Sequence, residues 1–73
     1  MTQKQLEKEI IKDRKILGGI PVFKGTRIPV AQILALLARG KRKSYIIHSF
    51  TISSKQIDMA LQYAALELNG QKA

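Results

Sequence analysis

The chain has 73 residues, of which 13 are Lys or Arg and 5 are Asp or Glu, so its formal net charge is +8 at neutral pH. A chain this short forms one small domain that buries only about 60–65% of its unfolded surface, and such marginal stability favours association with a partner. It contains no cysteine, which excludes disulfides, thiolate metal ligands and a cysteine nucleophile. Its most apolar window, residues 28–38, is far shorter than the roughly 20 residues of a membrane span. We therefore expect a cytoplasmic protein.

The N-terminal part of the chain predicts a short segment followed by a β arm. A loose helical turn over residues 3–9 precedes an extended piece from Ile10 to Asp13. Glycines and prolines then alternate with apolar residues from Gly18 to Val30. The glycine pair at the start of this arm permits a sharp reversal with positive φ, and each proline favours extended backbone in the residue before it. Lys24-Gly25 suits a tight two-residue turn, which would fold the arm into a small hairpin.

Two helices are predicted after the arm. The first runs from Val30 to Arg39, because its apolar residues recur at the i, i+3, i+4, i+7 spacing of one helix face, and Gly40 is its C-terminal cap. A basic connector, Lys41 to Lys43, follows. Ser44 is then the predicted N-cap of a short helix that ends at Ser49.

The last predicted helix carries two apolar faces. It opens with a capping box between Ser53 and Gln56, runs to about Asn69 and ends at Gly70. One face should be the core face and holds Ile57, Leu61, Ala64 and Leu68. The opposite face holds Met59, Tyr63 and Leu66. Either the N-terminal arm folds over this second face, or the face serves self-association or the docking of a partner.

The sequence contains nothing that resembles a catalytic or metal site. His48 is the single histidine, and the five acidic residues are scattered, so neither a metal site nor a Ser-His-Asp arrangement can be assembled. The order of Gly and Lys around Lys24-Gly25 is the reverse of that in a P-loop. We expect no enzymatic activity, no metal and no cofactor.

The arm and the helices after it resemble a known family. The residues that carry the resemblance are Gly18-Gly19-x-Pro21-Val22-x-Lys24-Gly25-Thr26-Arg27-Ile28-Pro29-Val30, the Leu-rich helix that ends at Gly40, and Ala60-Leu61-x-Tyr63-Ala64. This pattern, over roughly residues 10–68, resembles the domain-of-unknown-function 433 family, which groups with VapB-like antitoxins. The resemblance implies a mainly α fold: a three-helix, homeodomain-like helix-turn-helix over residues 30–69, preceded by a β arm within residues 1–29, in a single domain of residues 1–73. It also implies a dimer and an antitoxin role beside a PIN-like ribonuclease toxin.

Positive charge points to nucleic acid as a partner. Residues 16–43 hold six basic side chains and no acidic one, and residues 41–55 are basic where relatives of the family tend to be acidic. A helix-turn-helix lays its second helix in the major groove while flanking cations hold phosphates. The candidate DNA contacts are Lys41, Arg42, Lys43, Ser53, Ser54, Lys55 and Gln56, with Lys24 and Arg27 reaching from the arm. A Ser-Ser-Lys-Gln start is also typical of ordinary capping, and the Arg27 guanidinium has the donors to tie carbonyls of the hairpin or of a paired chain.

Two functions are compatible with these residues. The first is an antitoxin-like regulator that binds operator DNA as a homodimer and neutralises a PIN-like ribonuclease, with Met59, Tyr63 and Leu66 at the partner interface. The alternative is a protein-interaction module that binds a partner protein without specific DNA binding.

Overall fold

The computed structural model describes residues 3–70, and this part of the chain is mainly helical with one small antiparallel β pair, as predicted. Its elements in chain order are α1 (Gln3–Glu9), β1 (Ile10–Ile11), a 3-10 turn (Leu17–Gly19), β2 (Val22–Phe23), α2 (Val30–Ala38), α3 (Lys43–Phe50) and α4 (Ser54–Gly70). The N-terminal segment is therefore a helix rather than a loose turn. Four α-helices stand where the sequence predicted three. Within residues 3–70 no helix is both long and apolar enough to cross a bilayer.

The predicted hairpin is present, and its first strand also pairs with a second segment. After the turn at Lys24-Gly25 the chain returns along β2: Val22 forms an antiparallel bridge with Pro29, the Phe23 N–H donates to the Ile28 carbonyl at 3.2 Å, and the Val30 N–H donates to the Pro21 carbonyl at 3.0 Å. On its other side β2 runs antiparallel to β1, with Ile10 opposite Phe23 and Ile11 opposite Val22. This second pairing was not predicted.

The tight turn at Lys24-Gly25 is present, and a threonine side chain fixes it. The Thr26 N–H donates to the Phe23 carbonyl at 3.0 Å, and the Thr26 hydroxyl donates to the same oxygen at 2.8 Å. The Ile28 N–H in turn donates to Thr26 Oγ1 at 3.0 Å. These bonds make the turn rigid without any contribution from the arginine beside it.

The loop before β2 reverses direction where the glycine pair predicted it. Gly18 and Gly19 have φ of 73° and 96°, in the left-handed region that favours glycine. Leu17 also lies there, with φ of 49° and its side chain 47% exposed. This conformation is unfavourable for a non-glycine residue by about 1–2 kcal/mol. Nothing in the sequence around Leu17 predicted it.

The connection between α2 and α3 is a Schellman motif centred on Gly40. The Lys41 N–H donates to the Leu36 carbonyl and the Gly40 N–H to the Leu37 carbonyl, both at 3.0 Å, and Gly40 has φ of 85°. The prediction of Gly40 as C-cap is confirmed. The prediction that Ser44 caps α3 is wrong, because α3 begins at Lys43 and Ser44 already lies within its first turn. Its N-cap is Arg42, which makes no side-chain capping bond.

The capping box at the start of α4 is confirmed in both directions. The Ser53 N–H donates to Gln56 Oε1 at 2.8 Å, and the Gln56 N–H donates to Ser53 Oγ at 3.1 Å. Two of the backbone N–H groups that a helix start leaves unpaired are therefore satisfied locally.

The core lies where α1 and the β pair meet α2, α3 and α4. Its fully buried large side chains are Leu6, Val22, Phe23, Val30, Ile33, Ile46 and Ile57. The prediction of the α4 core face is correct for Ile57 but wrong for Leu61 and Leu68, which are 46% and 70% exposed. Met59, from the opposite face, is buried instead, because α1 packs across this side of α4. The N-terminal segment therefore folds over the part of the second face that holds Met59, while Leu66 of the same face remains 38% exposed.

Candidate nucleic-acid interface

An ion pair joins the basic connector to the start of α4. The Lys43 ammonium lies 2.8 Å from Asp58 Oδ1, so the first residue of α3 is tied to the second turn of α4. Both side chains remain about half exposed. This contact places Lys43 beside the start of α4, while Lys41 and Arg42 border the exposed side of α3 and Lys55, in the first turn of α4, borders α1. We call this surface the basic edge; its members are Lys41, Arg42, Lys43, Ser54 and Lys55.

The position of Lys41 is set by an aromatic ring. Its ammonium lies 5.2 Å from the centroid of the Tyr45 ring, within the range of a cation–π contact. Tyr45 is itself 50% exposed, so the ring orients the cation without removing it from solvent. A shallow depression of about 480 Å³ borders this pair, between the connector and the exposed side of α3.

The N-terminus of α3 adds its own positive potential to the basic edge. Because Arg42 makes no side-chain capping bond, the first backbone N–H groups of this helix have no side-chain acceptor. Such groups, with the positive end of the helix dipole, favour an anion such as a phosphate oxygen. Within residues 3–70 neither Arg42 nor Lys55 is engaged in an ion pair, so both cations are free to contact a ligand.

Two of the predicted DNA contacts have a structural role. Ser53 and Gln56 close the capping box on each other, and the amide oxygen that would address a base accepts a bond from the backbone instead. Reading a base with Gln56 would require that cap to open. Ser54 and Lys55 remain as the exposed polar residues of the first turn of α4.

Lys24 and Arg27 are exposed on the arm, and no hydrogen bond or ion pair within the described chain links either side chain to the basic edge. The Lys24 backbone N–H donates to the Glu9 carbonyl at 2.8 Å, which places this residue beside the end of α1. The interpretation of Arg27 as a tie for hairpin carbonyls is not supported within one chain, since Thr26 makes those bonds. Its guanidinium is left without a partner among residues 3–70.

The predicted partner interface is covered by the protein itself at Met59 but remains open at Leu66, which is 38% exposed. Met59 is 6% exposed and so offers no surface to another chain. Tyr63 and Leu66 line a groove of about 660 Å³ whose other wall is made by α1 and β1, with residues Gln3, Leu6, Glu7, Ile10, Ile11 and Lys12. Burial raises the pKa of the Tyr63 hydroxyl, and the nearby Glu67 carboxylate raises it further, while Lys12 opposes the shift.

Two residues of the site were not predicted from the sequence. Asp58 belongs to it because its carboxylate pairs with Lys43, which neutralises its charge. The sequence did contain an indication of this role, because Asp58 is the only acidic residue between Asp13 and Glu67. Tyr45 was also missed, although it follows Lys41 by four residues. Within residues 3–70 no group of three or more His, Cys, Asp or Glu side chains could hold a metal ion.

Comparison with known proteins gives a family but no close relative. A family model described as "Protein of unknown function (DUF433)" matches residues 10–64. No curated protein and no solved structure matches the chain significantly. The matched region begins at β1 and includes the arm, α2, α3 and the part of α4 that carries its buried residues. Because it covers well over half of the sequence, the chain belongs to the DUF433 family.

Proposed function

We propose that this protein is a DNA-binding regulator that contacts DNA through its basic edge. The observation that carries the proposal is the 2.8 Å ion pair between Lys43 and Asp58. It fixes the connector, through Lys43, against the start of α4, and it neutralises the Asp58 carboxylate, which would otherwise repel phosphate there. A regulator of this kind acts in the cytoplasm, for which the absence of cysteine is suitable.

The residues of the basic edge divide into two roles. Lys41 and Arg42, beside the uncapped N-terminus of α3, are suited to phosphates, which position a protein on DNA without reading sequence. Ser54 and Lys55 lie on the first turn of α4, and their side chains are of types that reach base edges in the major groove. Specificity then depends on α4, while salt-sensitive affinity depends mainly on the connector.

The proposal is tested by binding to duplex DNA from upstream of the protein's own gene, against scrambled duplex, at several salt concentrations. The test variant is Lys41→Ala/Arg42→Ala/Lys55→Ala, which keeps the Lys43–Asp58 pair. The control, Lys4→Ala/Arg14→Ala/Lys15→Ala, removes the same number of charges from exposed positions elsewhere. We expect the test variant to lose specific binding and to reduce the slope of log affinity against log salt by about 2–3, since each lost phosphate contact contributes about 0.9. Equal losses in both variants, or equal binding of both duplexes by the wild type, would contradict the proposal.

The arm supplies a second and separable contact. Arg27 is exposed on a turn fixed by three hydrogen bonds, which favours a guanidinium presented to a partner. In the DNA-binding proposal it reaches an adjacent groove, with Lys24 beside it. Arg27→Ala should keep its fold, measured by thermal unfolding, and bind DNA more weakly. Loss of the fold in this variant would return Arg27 to a structural role.

The same exposed Arg27 favours a second candidate function, the neutralisation of a ribonuclease. A PIN-like ribonuclease holds its metal with a cluster of carboxylates, and an inserted arginine is able to block such a cluster through bidentate pairing. This antitoxin role derives from the family resemblance and from the free guanidinium. The test is inhibition of any ribonuclease encoded beside the gene, where Arg27→Ala should lose inhibition and Lys24→Ala should lose less. A wild-type protein that neither binds nor inhibits such an enzyme would remove this candidate and leave the DNA proposal intact.

A further inference from the structure

The C-terminal part of α4 carries an apolar stripe that no other part of the described chain covers. Leu61, Ala65 and Leu68 lie at i, i+4 and i+7, on one face of the helix. Leu61 is 46% exposed, Ala65 is exposed, and Leu68, at 70%, is the most exposed large apolar side chain of the described residues. From residue 65 to residue 69 every side chain is exposed, so α4 extends beyond the core by more than one turn. We call these three residues the α4 stripe.

The charges around the α4 stripe indicate what can cover it. The chain carries a net charge of +8, yet α4 contains no basic residue after Lys55, and its two acidic residues are Asp58, already paired with Lys43, and Glu67. α2, which packs against α4, contains no charged residue at all. Two copies of so basic a molecule repel each other wherever cations face cations. The α4 stripe is a surface on which two copies can approach without that cost.

We propose that a second copy of this chain covers the α4 stripe, with the two α4 helices antiparallel and crossing between Ala64 and Ala65. In this register Leu61 of one copy packs against Leu68 of the other, and Leu68 against Leu61, which is the self-complementary pairing that two-fold symmetry requires. The alanines at the crossing allow the two helices to approach closely. Glu67 lies about 120° around the helix from Leu61 and lines the groove beside α1, so it brings no like charges together across the α4 stripe.

This arrangement leaves both basic edges free. Lys55 lies 9.5 residues from the crossing point, which is about 14 Å along a helix that rises 1.5 Å per residue. The Lys55 residues of the two copies are therefore about 29 Å apart along the helix axes. Half-sites on one face of DNA are separated by about 34 Å. The comparison with half-site spacing rests on the proposed DNA binding, whereas the proposed interface between the two α4 helices does not depend on it.

Sedimentation equilibrium of the full chain over a range of concentrations tests the interface. The wild type should show a concentration-dependent mass above the 8.2 kDa of one chain. Leu61→Gln/Leu68→Gln should raise the dissociation constant at least tenfold, while the control Leu17→Gln/Ile20→Gln, which removes side chains of similar exposure from the loop before β2, should not. Added salt should strengthen the association, because it screens the repulsion between two positive molecules. A wild type that stays at the mass of one chain at millimolar concentration would overturn the proposal.

The absence of cysteine allows the contact to be located independently of its strength. Under mild oxidation Ala65→Cys should form a disulfide-linked dimer, since equivalent residues near a two-fold crossing come within disulfide distance. Ala35→Cys, an exposed alanine on α2, is the matched control and should cross-link far less. Equal cross-linking of the two variants, or cross-linking of Ala35→Cys alone, would overturn the proposed register. Neither assay contains DNA, so a failure here is distinct from a failure of DNA binding.

Discussion

The two ends of α4 lie in different surroundings, although both belong to one continuous helix. At its start, Ile57, Met59 and Ala60 are 6% exposed or less, the capping box closes the first turn, and the basic edge lies alongside. From residue 65 to residue 69 every side chain is exposed and none is basic. An amphipathic pattern fixes which residues share a face. Burial depends on how far the covering elements extend, and here they end near residue 64, where the family match also ends.

The largest effect expected from this comparison is on stability. Ile57 and Leu61 are one helical turn apart and were predicted to share the core face, but Ile57 is fully buried and Leu61 is 46% exposed. Ile57→Ala should reduce the free energy of unfolding by about 2–5 kcal/mol, the usual cost of a large-to-small change in a core. Leu61→Ala should cost well under about 1 kcal/mol, as surface substitutions do. Urea unfolding at a concentration where the protein is monomeric measures both, and equal losses would show that the start and the middle of α4 are covered alike.

A smaller loss is expected from opening the capping box. Ser53→Ala removes the hydroxyl that accepts the Gln56 N–H and should cost about 0.5–2 kcal/mol of unfolding free energy. Ser54→Ala, in the first turn of the same helix, is the matched control and should cost less. If Ser53→Ala also removed specific DNA binding while stability was unchanged, the residue would be a contact rather than a cap.

The ion pair between α3 and α4 should matter more for binding than for stability. Its side chains are 48% and 50% exposed, and pairs of this kind contribute about 0.2–1 kcal/mol. Asp58→Asn should therefore leave the unfolding free energy nearly unchanged, measured by urea unfolding. Because the pair holds the connector against the start of α4, its loss should weaken specific DNA binding, even though one negative charge is removed from the basic edge. Unchanged or tighter specific binding would mean that the connector keeps its position without the pair.

The smallest effect concerns Tyr63, which is covered by the N-terminal segment. Its pKa is raised above the ordinary 10.0, first by burial and then by Glu67. The unfolded chain therefore ionises first as the pH rises, so this contribution to stability is complete below pH 10.0 and is lost as the pH passes through the raised value. In a Tyr45→Phe background, absorbance at alkaline pH reports Tyr63 alone. Glu67→Gln should lower the midpoint of the Tyr63 titration, and Lys12→Gln should raise it. Unchanged midpoints in both variants would show that neither side chain influences the Tyr63 hydroxyl.

The features that were predicted correctly are those set by nearby residues. The Gly40 cap and the Ser53–Gln56 box each depend on hydrogen bonds between residues at most five apart, so the residue types at that spacing are enough to indicate them. The reversal at Gly18 and Gly19 was correct for the same reason.

The features that were not predicted depend on segments distant in the sequence. β2 pairs with Ile10–Ile11 as well as with the chain after its own turn, and this additional pairing depends on the position of the N-terminal segment, which the local pattern does not contain. In the same way, helical periodicity predicted that α4 has two apolar faces, but it did not predict which of them α1 covers. Only geometry revealed that Thr26, and not the predicted Arg27, ties the turn, because both side chains carry suitable donors.

The salt dependence of two equilibria, measured on the same protein, tests the functional separation of the two ends of α4 most directly. DNA binding at the basic edge should weaken as salt rises, because counterions released from DNA drive it. Self-association through the α4 stripe should strengthen over the same range, because salt screens the repulsion between two chains of charge +8. Opposite signs are the predicted result. If both equilibria weakened with salt, the two copies would be held together by charge, and the apolar stripe would not be their interface.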